Sequence, residues 1–439
     1  MKARVFIAMV LVAMLFMSAA MQTSFAESSD APSKASGKVV FWHWDTATHE
    51  KVAQAYNRLV NPDVAIEMVA VNYPDYMTKL QIALVGGLEM PDIIAGELGF
   101  RAQLYRMDIL DDLEQAPYNL DRSTINEYII PVIEHSGKIV GVDDSISATG
   151  LAYKAELAKE YLGTDDPAEI EKMFPTWDAL IEKGREVYET SGGTVYILSS
   201  WSDAMWYYNN GYKPSLVTEN GKPTNYLLNE LPTERYAKLT AMLKNHTFDP
   251  AMGVTRNASS QASYARNNQI FYLCAMWSPT FEINPNDPNA AGRWRLANLP
   301  GGAINNVGTT FGIYKDSKNK EAAWDFLKWS KLSETGCQEV LKETGNFSNY
   351  KPFIDSFDYT SVNDSLTNKI FASQNAIEKF VVDLAPQIQL RPLDIYQSQI
   401  NTAFQIAEEA VITNPDTTFK QYKDILINEI KATCPDLAW

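Results

Sequence analysis

Apolar and polar positions alternate along this chain in two rhythms: short unbroken apolar runs, and apolar residues spaced three and four apart. Val39, Val40, Phe41 and Trp42 form an unbroken run inside 39–44, which predicts a strand buried on both faces. Residues 48–60 then place Val52, Ala55, Tyr56 and Leu59 on one helical face, and Asn61-Pro62-Asp63 ends that helix. Residues 64–71 return as a strand. Tyr73-Pro74-Asp75 opens a helix carrying Tyr76, Leu80 and Leu84, and Gly86-Gly87 closes it before a strand at 91–97. The order β-α-β-α-β predicts a parallel sheet covered by helices. Ligands of such sheets sit beyond the carboxyl ends of the strands, so Trp44-Asp45-Thr46 and Glu97-Leu98-Gly99 are expected to border one crevice.

The same reading predicts helices over 153–162, 176–188, 233–245 and 318–331, and strands over 196–201, 271–277, 294–300 and 307–315. The last hundred residues read as mostly helical. On 318–331, Ala322, Ala323, Phe326 and Trp329 form a core stripe flanked by Trp324, and Trp42 and Trp294 also read as core. No short-period repeat is present.

Length adds a constraint, since 439 residues exceed one ordinary domain. Residues 1–26 differ from the rest. Lys2 and Arg4 precede the apolar run Val5 to Ala20, and Ser24-Phe25-Ala26 has small residues at its first and third positions. This predicts a secretory signal peptide cleaved after Ala26; a retained anchor is the alternative, for which the run is short. No cysteine adjoins the cut to carry a lipid. The net charge is −16, and without Lys2 and Arg4 there remain 36 basic against 54 acidic residues. That balance argues against nucleic acid as a partner, because phosphate binding needs clustered Lys and Arg. Cys274, Cys337 and Cys434 are odd in number and far apart, so one disulfide is possible and no zinc motif is formed. Four histidines with neither a close metal-binding pair nor an HExxH motif offer little for metal or triad catalysis, and no cofactor is expected.

Several segments in order resemble the family 1 extracellular solute-binding proteins, the maltose-binding-protein type that feeds sugars to ABC importers. They are VVFWHWDTATHEKVAQAYNRLVNPDVAIEMVAV, DYMTKLQIALVGGLEMPDII, HSGKIVGVDDSISATGLAYKAEL, RNNQIFYLCAMW and VGTTFGIYKDSKNKEAAWDFLKWS. The residues Ile139–Asp143 lack the proline usual at the family's first hinge. The resemblance implies an α/β fold of two lobes (type II), each a mainly parallel sheet flanked by helices, joined by a multi-strand hinge. One lobe would hold 27–146 plus 300–345 and the other 147–299 plus 346–439. Crossings would fall near Asp143–Thr149, Leu299–Gly301 and Thr344–Asn349.

A sugar offers apolar C–H faces and directional hydroxyls, so its site combines Trp or Tyr plates with carboxylates and amides. Strand-end logic nominates Trp44, Asp45 and Glu97, with helix N-capping as the rival for Glu97. Tyr73 is a further candidate, its rival a staple at a helix start. Trp201 and Trp206 come from the densest aromatic segment, 199–212. Asp144 flanks the first crossing, where a solvated turn is the alternative. The resemblance adds Trp277, Gly308, Thr309 and Tyr396. It implies a non-catalytic carrier, expected to be a monomer, that binds carbohydrate and docks on membrane permease subunits. Two rivals stay open: a secreted glycoside hydrolase using Asp45 and Glu97, and a carrier for a polyamine or other polar solute.

Overall fold

A computed structural model describes residues 35–439 apart from 211–213, 219, 255–256, 307 and 391–392. The expected signal peptide, 1–26, lies outside the described residues. The described strands are β1 (Gly37–His43), β2 (Val64–Ala70), β3 (Ile93–Glu97), the hairpin β4 (Glu134–His135) and β5 (Lys138–Ile139), β6 (Val142–Asp143), β7 (Ala148–Lys154), β8 (Tyr196–Leu198), β9 (Gln269–Ala275), β10 (Trp294–Ala297), β11 (Ile304–Asn305) and β12 (Thr309–Ile313).

The first sheet runs β2-β1-β3-β12-β6. The apolar run of β1 is central, with Phe41 opposite Met68 on one side and Ile93 on the other, both parallel. Helices Thr46–Leu59 and Lys320–Leu332 cover it, and Ala323, Phe326, Leu327 and Trp329 share its core with Val52 and Tyr56. Trp42, Trp324 and Trp294 are buried, as their patterning predicts. The second sheet runs β10-β7-β9-β8, with β11 also on β7. Side chains alternate across it. Leu151, Tyr153, Phe271 and Leu273 enter one core, while Ala148, Ala152, Tyr272 and Cys274 enter another on the opposite face. Two covered faces explain why both central strands are buried along their whole length.

The two-part α/β architecture stands, but the expectation of mainly parallel sheets needs correction. β12 runs antiparallel to both β3 and β6, and β7 runs antiparallel to β9, β10 and β11. Strands that arrive from the other sheet enter in the opposite direction, so both sheets are mixed. The chain leaves the first sheet after Asp143 and joins the second at Ala148. It returns between Asn305 and Thr309, later than Leu299–Gly301, because Ile304 and Asn305 still pair with Thr149 and Ala148. All three cysteines are free and buried. Among the described residues, no helix is long and apolar enough to cross a membrane.

Candidate functional site

The carboxyl ends of β1 and β3 carry the first wall. Trp44 leaves β1 into a nest of rings: its centroid lies 5.3 Å from Tyr73, 5.3 Å from Tyr76 and 5.9 Å from Phe100, all edge-on. His43 stacks beneath it at 4.3 Å. The His43 Nδ1 accepts from the Asp45 amide at 2.9 Å, and burial pushes the pKa of this histidine down to about 4, which keeps it neutral near pH 7. Glu97 ends β3 almost fully buried. Its Oε2 accepts from the Tyr73 hydroxyl and the Gly99 amide, both at 2.6 Å. It does not cap a helix, since the next helix, Arg101–Arg106, begins without a side-chain cap.

The second wall is built from helices. Trp201 opens the Trp201–Asn210 helix and is buried, and Trp206 follows on the same helix, its indole N–H donating to the Asn306 side chain. Behind them Arg235, on the Leu231–Lys244 helix, forms a two-pronged ion pair with Glu408, at 2.7 and 2.9 Å. Both side chains are about 1% exposed, and the guanidinium also lies 4.4 Å from the Phe404 ring centre. Burial pushes the Glu408 pKa upward while its partner opposes the shift.

Between these walls lies a cavity of about 550 Å³. Trp44, Tyr73, Glu97, Leu98, Gly99 and Thr309 line it from the first sheet; Trp201, Ser202, Met205, Trp206, Arg235, Val254 and Leu273 line it from the second half. The structure thus brings six sequence candidates together: Trp44, Tyr73, Glu97, Trp201, Trp206 and Thr309. The other five are not on its wall. Asp45 is the N-cap of the Thr46–Leu59 helix, accepting from Thr48 at 3.2 Å. Asp144 is ion-paired with Lys331. The Trp277 indole donates to the Asn306 carbonyl at 3.2 Å. Gly308 supplies a carbonyl to Arg101 at 2.6 Å. Tyr396 packs on the second-half core as N-cap of the Gln397–Thr413 helix.

That helix supplies what the sequence reading missed. Gln397, Ser398, Asn401, Thr402, Gln405 and Glu408 all line the cavity. A signal was present: Gln397, Asn401 and Gln405 repeat every four residues, alongside the apolar stripe Ile400, Ala403, Phe404 and Ala407.

Aromatic plates, amides, hydroxyls and a few paired or hydrogen-bonded charges facing each other between two α/β halves make a binding cleft, and the molecule is a two-lobed solute receptor. The pattern of the bacterial extracellular solute-binding protein family matches residues 45–335, and the chain belongs to that family. The arabinooligosaccharide-binding protein of Bacillus subtilis (strain 168) is 28% identical over 340 residues, which cover 71% of this chain and 74% of that protein. A solved ABC transporter-associated binding protein from B. animalis subsp. lactis Bl-04, in complex with beta-1,6-galactobiose, shares the fold with a TM-score of 0.70 at 19% identity. The match covers 91% of this chain and 98% of that one. The GacH receptor of Streptomyces glaucescens GLA.O shares it with a TM-score of 0.69 at 17% identity, over 92% of this chain and 100% of its own.

Proposed function

We propose that this protein captures a sugar or oligosaccharide in the cleft and delivers it to an ABC importer. The observation that carries this reading is the cleft itself: rings from Trp44, Tyr73 and Trp206 stand with a row of amides and hydroxyls in one cavity walled by both halves. Such a surface matches the apolar faces and hydroxyls of a sugar. The likeness to an arabinooligosaccharide-binding protein supports the same class of ligand. The eleven site candidates divide accordingly. Trp44, Tyr73, Glu97, Trp201, Trp206 and Thr309 act on ligand, and Asp45, Asp144, Trp277, Gly308 and Tyr396 set the position of their neighbours.

The lobes are 27–146 with the segment that follows Asn305 to about 345, and the rest of the chain to 439. Ligand that touches both lobes is bound only when they close, so ligand shifts the population toward the closed form that docks on the permease subunits. The protein works outside the cytoplasmic membrane after cleavage behind Ala26, as a monomer and without catalysis. The hydrolase rival loses one of its two acids, because Asp45 is committed to a helix cap. Its remaining candidate, Glu97, is held by Tyr73 and Gly99.

Calorimetric titration of the mature chain with a carbohydrate panel, polyamines included, tests this. Sugar binding that weakens about ten- to a hundredfold in Trp44→Ala or Trp206→Ala supports it, a loss of about 1.4–2.8 kcal/mol. Binding of a polyamine with no sugar bound, or cleavage of an oligosaccharide during the titration, overturns it.

A further inference from the structure

The end of β1 reads His43-Trp44-Asp45, and His43 is the residue its surroundings do not call for. It is 3% exposed and packed among the rings of Phe41, Phe311 and His49, a setting that phenylalanine would fill equally. Burying an imidazole there carries a desolvation penalty, and among the described residues its Nε2 has no hydrogen-bond partner. What phenylalanine would lack is the Nδ1 lone pair, which accepts from the Asp45 amide at 2.9 Å. A side chain that accepts from the amide two residues on closes a turn, as aspartate and asparagine do. The residue enclosed by this turn is Trp44.

The turn joins two fixed elements. Before Trp44, His43 pairs with Ala70 of β2, and its carbonyl accepts from the Val71 amide at 3.1 Å. After it, Asp45 caps the Thr46–Leu59 helix. The His43 ring also lies nearly parallel to the indole, at 27°, whereas Tyr73, Tyr76 and Phe100 meet it edge-on. The acceptor exists only while Nδ1 is unprotonated. Burial keeps it so, with Lys331 acting in the same direction; Asp144 and Asp45 oppose, and the neighbouring His49 is itself held neutral by burial.

We propose that His43 is a positioning residue of the cleft: its imidazole closes the turn that aims the Trp44 indole at ligand. The inference deepens the sugar-carrier reading and rests on Trp44 being one of its plates.

The probes are arabinotriose, maltotriose and galactotriose, titrated by calorimetry at pH 7. The one that wild type binds most tightly is carried through His43→Phe, Trp44→Ala and the double variant, with melting temperatures measured alongside. Phenylalanine keeps a ring beside the indole and lacks the acceptor, and should weaken binding about tenfold. In the Trp44→Ala background the same change should matter less than about twofold, because no plate is left to aim. His43→Asn restores an acceptor within reach of the Asp45 amide and should recover most of the lost affinity. It should also lack a loss that wild type shows as pH falls through about 4, where a proton takes Nδ1. Unchanged affinity in His43→Phe, a loss that persists in full without Trp44, or a His43→Asn variant as weak as His43→Phe overturns the positioning role while the sugar-carrier reading stands. If His43→Phe does not fold, His43→Asn and its pH profile decide. If no probe binds, the sugar-carrier reading falls, and ligand-free crystal structures of wild type and His43→Phe decide: a displaced indole supports the role and an unmoved one overturns it.

Discussion

At the residue scale, two of the buried carboxylates, Glu408 and Asp143, behave differently. Glu408 is matched by Arg235 in a two-pronged pair under the cleft. Removing one partner leaves an uncompensated buried charge, so Glu408→Ala should lower unfolding free energy by about 3–5 kcal/mol in urea. The double replacement Arg235→Met with Glu408→Leu should lose less, and equal losses would show that the pair has no such coupling. Asp143 has no comparable partner. Its Oδ2 accepts from Asn349 at 2.8 Å, its Oδ1 has no hydrogen bond, and burial pushes its pKa up to about 7 against the opposing fields of Arg101 and Lys331. A carboxyl group whose folded pKa is raised binds its proton more tightly in the folded state. The folded state therefore loses stability as pH rises from about 4 through 7. Asp143→Asn should remove that contribution. Measured in urea at pH 4.5 and 7.5, the stability of the variant relative to wild type should rise with pH, by on the order of 1–4 kcal/mol. A difference that does not change with pH would show that Asp143 is ionised throughout.

At the scale of elements, β1, β3 and the helices Thr46–Leu59 and Tyr76–Gly86 between them were legible because their apolar spacing agrees with their final burial. The strand that organises the second sheet was not. β7 lies between β9 and β10, yet no strand is read over its sequence ATGLAYK, and its last two residues are read into the helix over 153–162. Gly150 and the small Ala148 and Ala152 weaken any strand signal. The structure gives the reason for the glycine: a Cβ there would stand 2.7 Å from the Ala297 carbonyl oxygen and 2.9 Å from the Leu296 side chain. Gly150→Val should therefore separate β7 from β10 and cost about 1–3 kcal/mol or more, seen as a lower melting temperature; an unchanged melt would mean the sheet yields freely there. The cleft divides in the same way. Strand-end logic found Trp44 and Glu97, because strand direction is written locally. It did not find the Gln397–Gln405 row, because the polar side of an amphipathic helix reads as solvent-facing until the opposite wall is known. Tyr396 was selected for its ring; the residues that reach the cavity follow it.

At the scale of the molecule, two strand-to-strand connections join the sheets, and one of them is tied to the cleft. Asn306 accepts from the indoles of Trp206 and Trp277, and its amide donates to the Ser147 carbonyl, on the other connection, at 3.0 Å. Two residues later the Gly308 carbonyl accepts from Arg101 at 2.6 Å and from the Leu98 amide at 3.1 Å, both on the first half. A tether this short, fixed to the second half at one end and the first at the other, must absorb the backbone rotation of closure near Gly308. Gly308 has a φ of +119°, a conformation side chains resist, and a Cβ there would meet the Ser147 hydroxyl at 3.4 Å. Gly308→Val should therefore alter the open–closed balance without touching any ring in the cavity. Small-angle scattering should show the wild type contracting when saturated with the best ligand of the panel. The variant should contract less and bind at least tenfold more weakly, because ligand energy is then spent on forcing the tether. Equal contraction with unchanged affinity would place the hinge elsewhere, and the segment 144–147 would be the next to alter.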